Sequence, residues 1–205
     1  MYNKQCIVTL DLEGVLAPEI WIAVAQKTGI EDLKLTTRDI VDYDELMQGR
    51  LQILKRENLK LSDIQNIIGN LGLLKGAKEF LDELRRHTQV IILSDTFLDF
   101  AFPIMKALDF PTIFCHRLIV KDDYIQSYEL RMKDQKTKTV QSLQALNYKV
   151  FAAGDSFNDT GMLLAADKGV FFNAPDSISK QFPNLVSTQS YSELMREFEV
   201  FYDSI

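Results

Sequence analysis

Five short apolar runs punctuate the chain at 6–10, 90–93, 112–115, 150–153 and 170–172, each bounded by turn-forming or polar residues. Runs that are apolar at consecutive positions, and not in alternation, predict strands covered on both faces and hence a parallel sheet. Between them the apolar positions recur at helical spacing. Segment 76–87 gathers Phe80, Leu81 and Leu84 on one face; 137–147 gathers Val140, Leu143 and Leu146; 192–202 gathers Leu194, Phe198 and Phe201. Strands alternating with amphipathic helices predict a doubly wound parallel α/β sheet of Rossmann-like type.

Residues 17–74 break the alternation. Pro18 stands where a first-turn proline stands, and Gly29 where a closing glycine does, around a helix over 19–28. A second helix is predicted over 43–56 and a third over 62–71, with Ser62 as its N-cap. Three helices without a strand predict a small helical cap (17–74) inserted after the first strand of a core made of 1–16 and 75–205. Residues 116–131 predict a β-hairpin.

Composition narrows the class. The chain has 205 residues, 46% hydrophobic and 25% charged, which excludes a mainly disordered protein. No apolar stretch reaches the 18 residues a membrane span requires. With 23 Lys+Arg against 29 Asp+Glu, the formal charge is −6, and no basic stripe offers itself to nucleic acid. Cys6 and Cys115 both lie in apolar runs, so they read as buried thiols of a reducing compartment. Met1-Tyr2-Asn3-Lys4 leads straight into the first strand without a signal h-region, so the expected location is cytoplasmic. No glycine-rich dinucleotide or P-loop motif occurs.

The chemistry gathers at strand ends. Asp11, Ser94 and Asp155 each follow an apolar run, and ligands of open α/β sheets bind outside the carboxyl ends of the strands. Carboxylates brought together there call for a cation, and oxygen ligands with open positions suit Mg²⁺. A carboxylate beside such an ion can accept a phosphoryl group. His87 and His116 look isolated, as surface or strand-end residues, and Trp21 looks like packing within the cap.

Asp11-x-Glu13-Gly-Val, Ser94, Lys136 and Gly154-Asp155-x-x-Asn158-Asp159 resemble the four motifs of haloacid-dehalogenase-superfamily phosphatases. The helical insert resembles the cap of the phosphoserine phosphatase type. Over nearly the whole chain the likeness is to a bacterial group with both phosphoserine phosphatase and phosphoserine:homoserine phosphotransferase activity. That resemblance implies Asp11 as nucleophile, Glu13 as acid/base, and Ser94 and Lys136 as phosphoryl-binding groups. It implies Mg²⁺ on Asp155, Asp11 and the Glu13 backbone carbonyl. Asn158 and Asp159 would open a helix running to Lys168 and orient the metal shell or touch the phosphate. In the cap it implies Glu19 for the substrate ammonium, Tyr43 as cover and Arg50 for the carboxylate, with Asp95 at the pocket floor. Substrate and acceptor would be phosphoserine and homoserine, in amino-acid biosynthesis.

The chain also departs from the resemblance. Glu13 replaces the usual Asp, Asp95-Thr96 replaces small glycines, and Lys133 rivals Lys136. A receiver-type phospho-accepting domain, a phosphatase for another small phosphomonoester and an inactive phosphate-binding module remain as competing readings.

Overall fold

A computed structural model describes residues 5–36, 39–40 and 42–205, so the expectation for Met1–Lys4 lies outside the described residues. The chain opens with β1 (Cys6–Leu10), then α1 (Ile20–Thr28), a 3-10 turn (Glu31–Lys34), α2 (Tyr43–Arg56) and α3 (Leu61–Gly69). Next come α4 (Ala77–His87), β2 (Gln89–Phe97), α5 (Leu98–Ala107) and the hairpin of β3 (Thr112–Lys121) and β4 (Tyr124–Glu129). The remainder is α6 (Gln135–Ala145), β5 (Lys149–Gly154), a 3-10 turn (Phe157–Asp159), α7 (Thr160–Ala165) and β6 (Lys168–Phe172), closed by α8 (Asp176–Ser179), β7 (Val186–Thr188) and α9 (Tyr191–Ser204).

The strands form one seven-stranded sheet in the order β4-β3-β2-β1-β5-β6-β7, parallel throughout except for the antiparallel β3–β4 pair. All five residues of β1 are buried, as expected of a central strand covered on both faces. The helical faces are those the spacing predicts in α4 and α9, whose buried sets include Phe80, Leu81 and Leu84, and Leu194, Phe198 and Phe201. The three helices after β1 do not build a core of their own. Ile20, Met47, Leu54 and Ile64 join the same hydrophobic cluster as Leu10, Phe151 and Phe198.

Several details differ from the sequence reading. α1 begins at Ile20 with Glu19 at its N-cap, which moves Pro18 outside the helix; Gly29 does close it, at φ 74. α3 begins one residue early with Lys60 at its N-cap, and the Asp63 carboxylate accepts the Lys60 N–H at 3.1 Å. Ser62 instead ties the hairpin tip, donating from N and Oγ to the Asp123 carboxylate at 3.1 and 2.6 Å. α6 starts at Gln135 and ends at Ala145, so Leu146 sits past its last turn and is 67% exposed instead of inward. The helix expected to reach Lys168 stops at Ala165, because β6 takes Lys168 onward.

α5 is not among the helices predicted from the sequence, and Pro103 lies inside it. A mid-helix proline lacks an N–H and orphans the carbonyl four residues back. That carbonyl belongs to Asp99, and Gln65 of α3 donates its Nε2 to it at 2.9 Å.

A further close fit fixes β6 against α7. A Cβ on Gly169 would collide with the Leu163 carbonyl, a backbone atom that cannot swing away. Gly169→Ala is therefore expected to cost about 1–3 kcal/mol, the usual range for overpacking. Denaturant melts check this, and an unchanged midpoint would refute the close approach.

Candidate active site

β1 pairs β2 on one side and β5 on the other, with Leu10 in register with Ile92 and Ala153. The carboxyl ends of these three strands therefore lie side by side at the switch in strand order. Asp11 continues the ladder by donating its N–H to Ala153 O at 3.0 Å. Ser94 follows on β2, where the β2–β3 register slips between Leu93 and Phe97 and re-aims the turn. Asp155 follows β5. Gly14 is required beside them twice over: its φ is +78°, and a Cβ there would collide with the Asp155 carboxylate.

Lys136 joins the strand ends from the first turn of α6. Its Nζ is 2.9 Å from Asp11 Oδ1 and 2.7 Å from Asp159 Oδ1, with only 4% of the side chain exposed. Lys133, its rival, is exposed. Asp11 Oδ1 also accepts the Leu12 N–H at 2.8 Å. Among the described residues both hydrogen bonds to the Asp11 carboxylate thus fall on Oδ1, and Oδ2 is left with lone pairs to spare. Ser94 is buried, and its Oγ accepts the Thr96 N–H at 3.2 Å, so its own proton can point to a ligand.

Asp11, Asp155 and Asp159 each offer a carboxylate oxygen, all within 4.8 Å of one another. Asp159 was expected to orient or touch. It stands here as a full third acid, at the end of a 3-10 turn and not in a helix running to Lys168. Its Oδ2 accepts the N–H groups of Asp155 and Ser156 at 3.0 and 3.1 Å.

Burial pushes the Asp155 carboxyl up to about 7, with Asp159 adding repulsion. Burial and then Asp159 likewise raise Asp11 well above the usual carboxylate range, against the pull of Lys136. Lys136 stays charged: burial works against it, but Asp11, Asp159 and Asp95 outweigh that and raise it. One ammonium thus faces a surplus of carboxylates, and this donor set fits a small divalent cation.

Glu13 lies half-buried beside this centre, and its Oε1 accepts the Ile20 N–H at 2.7 Å where α1 begins. Burial, followed by repulsion from Glu19, lifts it to about 7. Glu19 is exposed, with its charge felt at Glu13 and Asp155.

Tyr43, the first residue of α2, donates its hydroxyl to Asp95 O at 3.1 Å and so joins the insert to the Ser94 turn. Arg50 is buried over the Trp21 ring at 4.5 Å; its Nη2 donates to Leu35 O at 2.7 Å, and its Nε has no hydrogen-bond partner among the described residues. Trp21, half-buried, also meets Phe100 edge to face. Asn158 donates to Asp95 Oδ2 at 3.0 Å.

Tyr43, Asp95, Lys136 and Asn158 together line a cavity of 860 Å³. Two of its walls escaped the sequence reading. Gln135 donates Nε2 to Ser94 O at 2.7 Å and to Asp95 Oδ1 at 3.2 Å. His116 is buried with Nε2 3.6 Å from Asp95 Oδ1, and so is neither isolated nor at the surface. His87 is part-exposed and faces Glu83.

An acidic centre at the switch point of a doubly wound sheet, one buried lysine among its acids, defines a hydrolase-like framework. The chain belongs to the haloacid dehalogenase-like hydrolase family, whose match covers residues 7–167. Hydrolases of this family generally use a divalent metal, and Asp11, Asp155 and Asp159 are the described residues grouped to hold one. Membership decides against the receiver-type signalling domain.

The chain is 54% identical to a phosphoserine phosphatase of Pseudomonas syringae pv. tomato, over 94% of this chain and 81% of that one. It is 53% identical to phosphoserine phosphatase ThrH of Pseudomonas aeruginosa, over 94% of both chains. The fold is shared with a phospho-aspartyl intermediate analogue of phosphoserine phosphatase, at TM-score 0.79 and 20% identity, over 95% of this chain and 99% of that one. No helix among the described residues is long and apolar enough to cross a membrane.

Proposed function

We propose that the protein is a phosphoserine phosphatase that works through an aspartyl-phosphate on Asp11 with Mg²⁺, and that it can also pass the phosphoryl group to homoserine. The observation that best supports the chemistry is the buried Lys136 ammonium 2.9 Å from Asp11 Oδ1, at the strand ends that also carry Ser94 and Asp155. Two relatives named phosphoserine phosphatase, 53–54% identical over 94% of the chain, support the substrate.

In this reading Asp11 Oδ2 attacks phosphorus, the bond to the serine oxygen breaks, and Glu13 gives that oxygen its proton. Ser94 Oγ–H and Lys136 hold the phosphoryl oxygens, and positioning with charge neutralisation supplies most of the rate. Glu13 then takes a proton from water or an alcohol that attacks the phosphoryl group, which leaves Asp11 as a carboxylate again. Asp11, Asp155 and the Glu13 carbonyl would hold Mg²⁺, with Asp159 beside them. The ion would neutralise charge on the phosphoryl group.

Residues 17–74 serve as cap over the core of 1–16 and 75–205. There Glu19 would meet the ammonium and Arg50 the carboxylate, through the Nε that has no partner among the described residues; Tyr43 covers the site and Asn158 borders it. The buried Cys6 and Cys115 suit a reducing compartment, in keeping with a cytoplasmic location.

The test is a phosphate-release screen over small phosphomonoesters, in which phosphoserine is expected to lead. No release from phosphoserine, with release from another ester, would overturn the substrate. Excess chelator is expected to reduce turnover to background and added Mg²⁺ to restore it; full activity in chelator would refute the metal role.

With homoserine added, phosphohomoserine is expected beside free phosphate. One methylene changes binding by only about 1–3 kcal/mol, so a site for serine does not strongly reject the longer alcohol. Continued phosphate release without phosphohomoserine at millimolar homoserine would remove the transfer activity and leave the hydrolysis.

A further inference from the structure

The Ser94 turn carries a carboxylate where a phosphoryl dianion is to dock. Asp95 follows Ser94 directly, and a free carboxylate there would repel the ligand that Ser94 binds. The fold meets this with partners drawn from several separate elements. Gln135, 2% exposed at the start of α6, donates its Nε2 both to Ser94 O at 2.7 Å and to Asp95 Oδ1 at 3.2 Å. Asn158 donates to Oδ2 at 3.0 Å, and Lys136 Nζ lies 3.9 Å from the same oxygen. Tyr43 holds the Asp95 backbone carbonyl at 3.1 Å.

The last partner is His116 of β3, 4% exposed. Its Nδ1 accepts the Arg131 N–H at 3.2 Å, so the proton of the neutral ring sits on Nε2. That Nε2 faces Asp95 Oδ1 at 3.6 Å. The ring is wedged between Tyr43 and Phe97, at centroid distances of 6.2 and 6.3 Å, and cannot turn freely. With both oxygens engaged, the carboxylate has little capacity left to bind a further cation. Its arrangement suits a locked group better than a ligand site.

We propose that His116 is a positioning residue for the phosphoryl site that acts through Asp95: with Gln135 and Asn158 it pins the Asp95 carboxylate sideways, so that the Ser94 turn meets the phosphoryl group without an opposing charge. This rests on the phosphatase reading of the site. Without His116, the Oδ1 side of the pin is reduced to Gln135 alone, and the carboxylate gains freedom to rotate toward the anion. Binding of phosphate suffers, while the attacking and protonating groups stay in place.

The test measures the Kd of inorganic phosphate by calorimetry with Mg²⁺ present, together with KM and kcat for phosphoserine. His116→Ala is expected to weaken phosphate binding and raise KM by about tenfold each, with kcat changed less than about threefold. His116→Phe, which fills the space without a donor, repeats the measurement should the alanine variant melt early. His116→Gln, able to donate toward Oδ1, is expected to recover most of the affinity. In an Asp95→Asn background, where no charge can be misplaced, the His116 substitutions are expected to move Kd by less than about twofold.

Equal losses in both backgrounds would mean a merely structural role and overturn the proposal. So would an unchanged phosphate affinity on substituting His116 in the protein that keeps Asp95. Phosphoserine hydrolysis by the parent protein judges the phosphatase reading separately: phosphate binding with this pattern but no hydrolysis keeps the pin and rejects the substrate. A parent that binds no phosphate rejects both.

Discussion

Asp11→Asn is expected to lower phosphate release from phosphoserine by at least about 10⁴-fold, with no fall in melting temperature. The amide is nearly isosteric, and its Oδ1 can still accept the Leu12 N–H that Asp11 takes at 2.8 Å. It is a poor nucleophile, so the chemistry is lost while the contacts remain. Stability follows from the charges. Asp11 is 4% exposed and is raised well above the usual carboxylate range by burial and by Asp159, so its charged form is disfavoured among these neighbours. Removing its charge lifts that penalty, and Lys136 keeps Asp159 at 2.7 Å. A well-folded Asp11→Asn protein with near-parental phosphate release would falsify the aspartyl-phosphate mechanism. A large drop in melting temperature would refute the electrostatic account of the cluster.

The parallel sheet was legible because covered strands leave a plain mark: every residue of β1 is apolar or hydrogen-bonded inside, and Thr9 spends its hydroxyl on Phe151 O. α2 has the span the sequence reading gives it, 43–56, and its start is set by a neighbour in sequence, the Asp42 side chain that accepts the Glu45 N–H at 2.9 Å. α5 was not legible. Its proline takes the helical donor from the Asp99 carbonyl, and the donor that replaces it comes from Gln65, 34 positions upstream. The start of α6 was missed for a related reason: its N-cap, Asp134, has a left-handed backbone and makes no side-chain cap bond.

The candidate site divides the same way. Asp11, Ser94 and Asp155 could be grouped from sequence because parallel topology forces neighbouring strand ends together. Asp159 was in view as part of a motif, but its place as a third acid depends on a 3-10 turn that local spacing does not announce. Gln135 and His116 carried no signal at all. Each acts on the Ser94–Asp95 turn from a different element, and a lone glutamine or histidine is uninformative until that turn is placed beside it.

Lys136→Met is the harshest single change to this cluster, and is expected to cost about 3–5 kcal/mol of stability in the absence of a divalent cation. Methionine matches the length of the buried stem and gives up only the volume of Nζ, so the loss is chiefly one of charge. Asp11 Oδ1 and Asp159 Oδ1, at 2.9 and 2.7 Å from Nζ, would both lose their ammonium in a site almost sealed from water. The figure should fall toward the lower end, because Asp159 Oδ2 keeps the N–H groups of Asp155 and Ser156.

Turnover is expected to drop by about 10²–10³-fold, the usual effect of deleting one preorganised group that stabilises transition-state charge. Mg²⁺ should restore part of the melting temperature by supplying positive charge to the same acids. It should not restore kcat, since the phosphoryl oxygens would still lack the Lys136 donor. Lys133→Met, at an exposed position on the rim of the cavity, is the comparison. If Lys133→Met lost more activity than Lys136→Met, or if Lys136→Met melted with the parent in the absence of metal, the role given to the buried ammonium would be wrong.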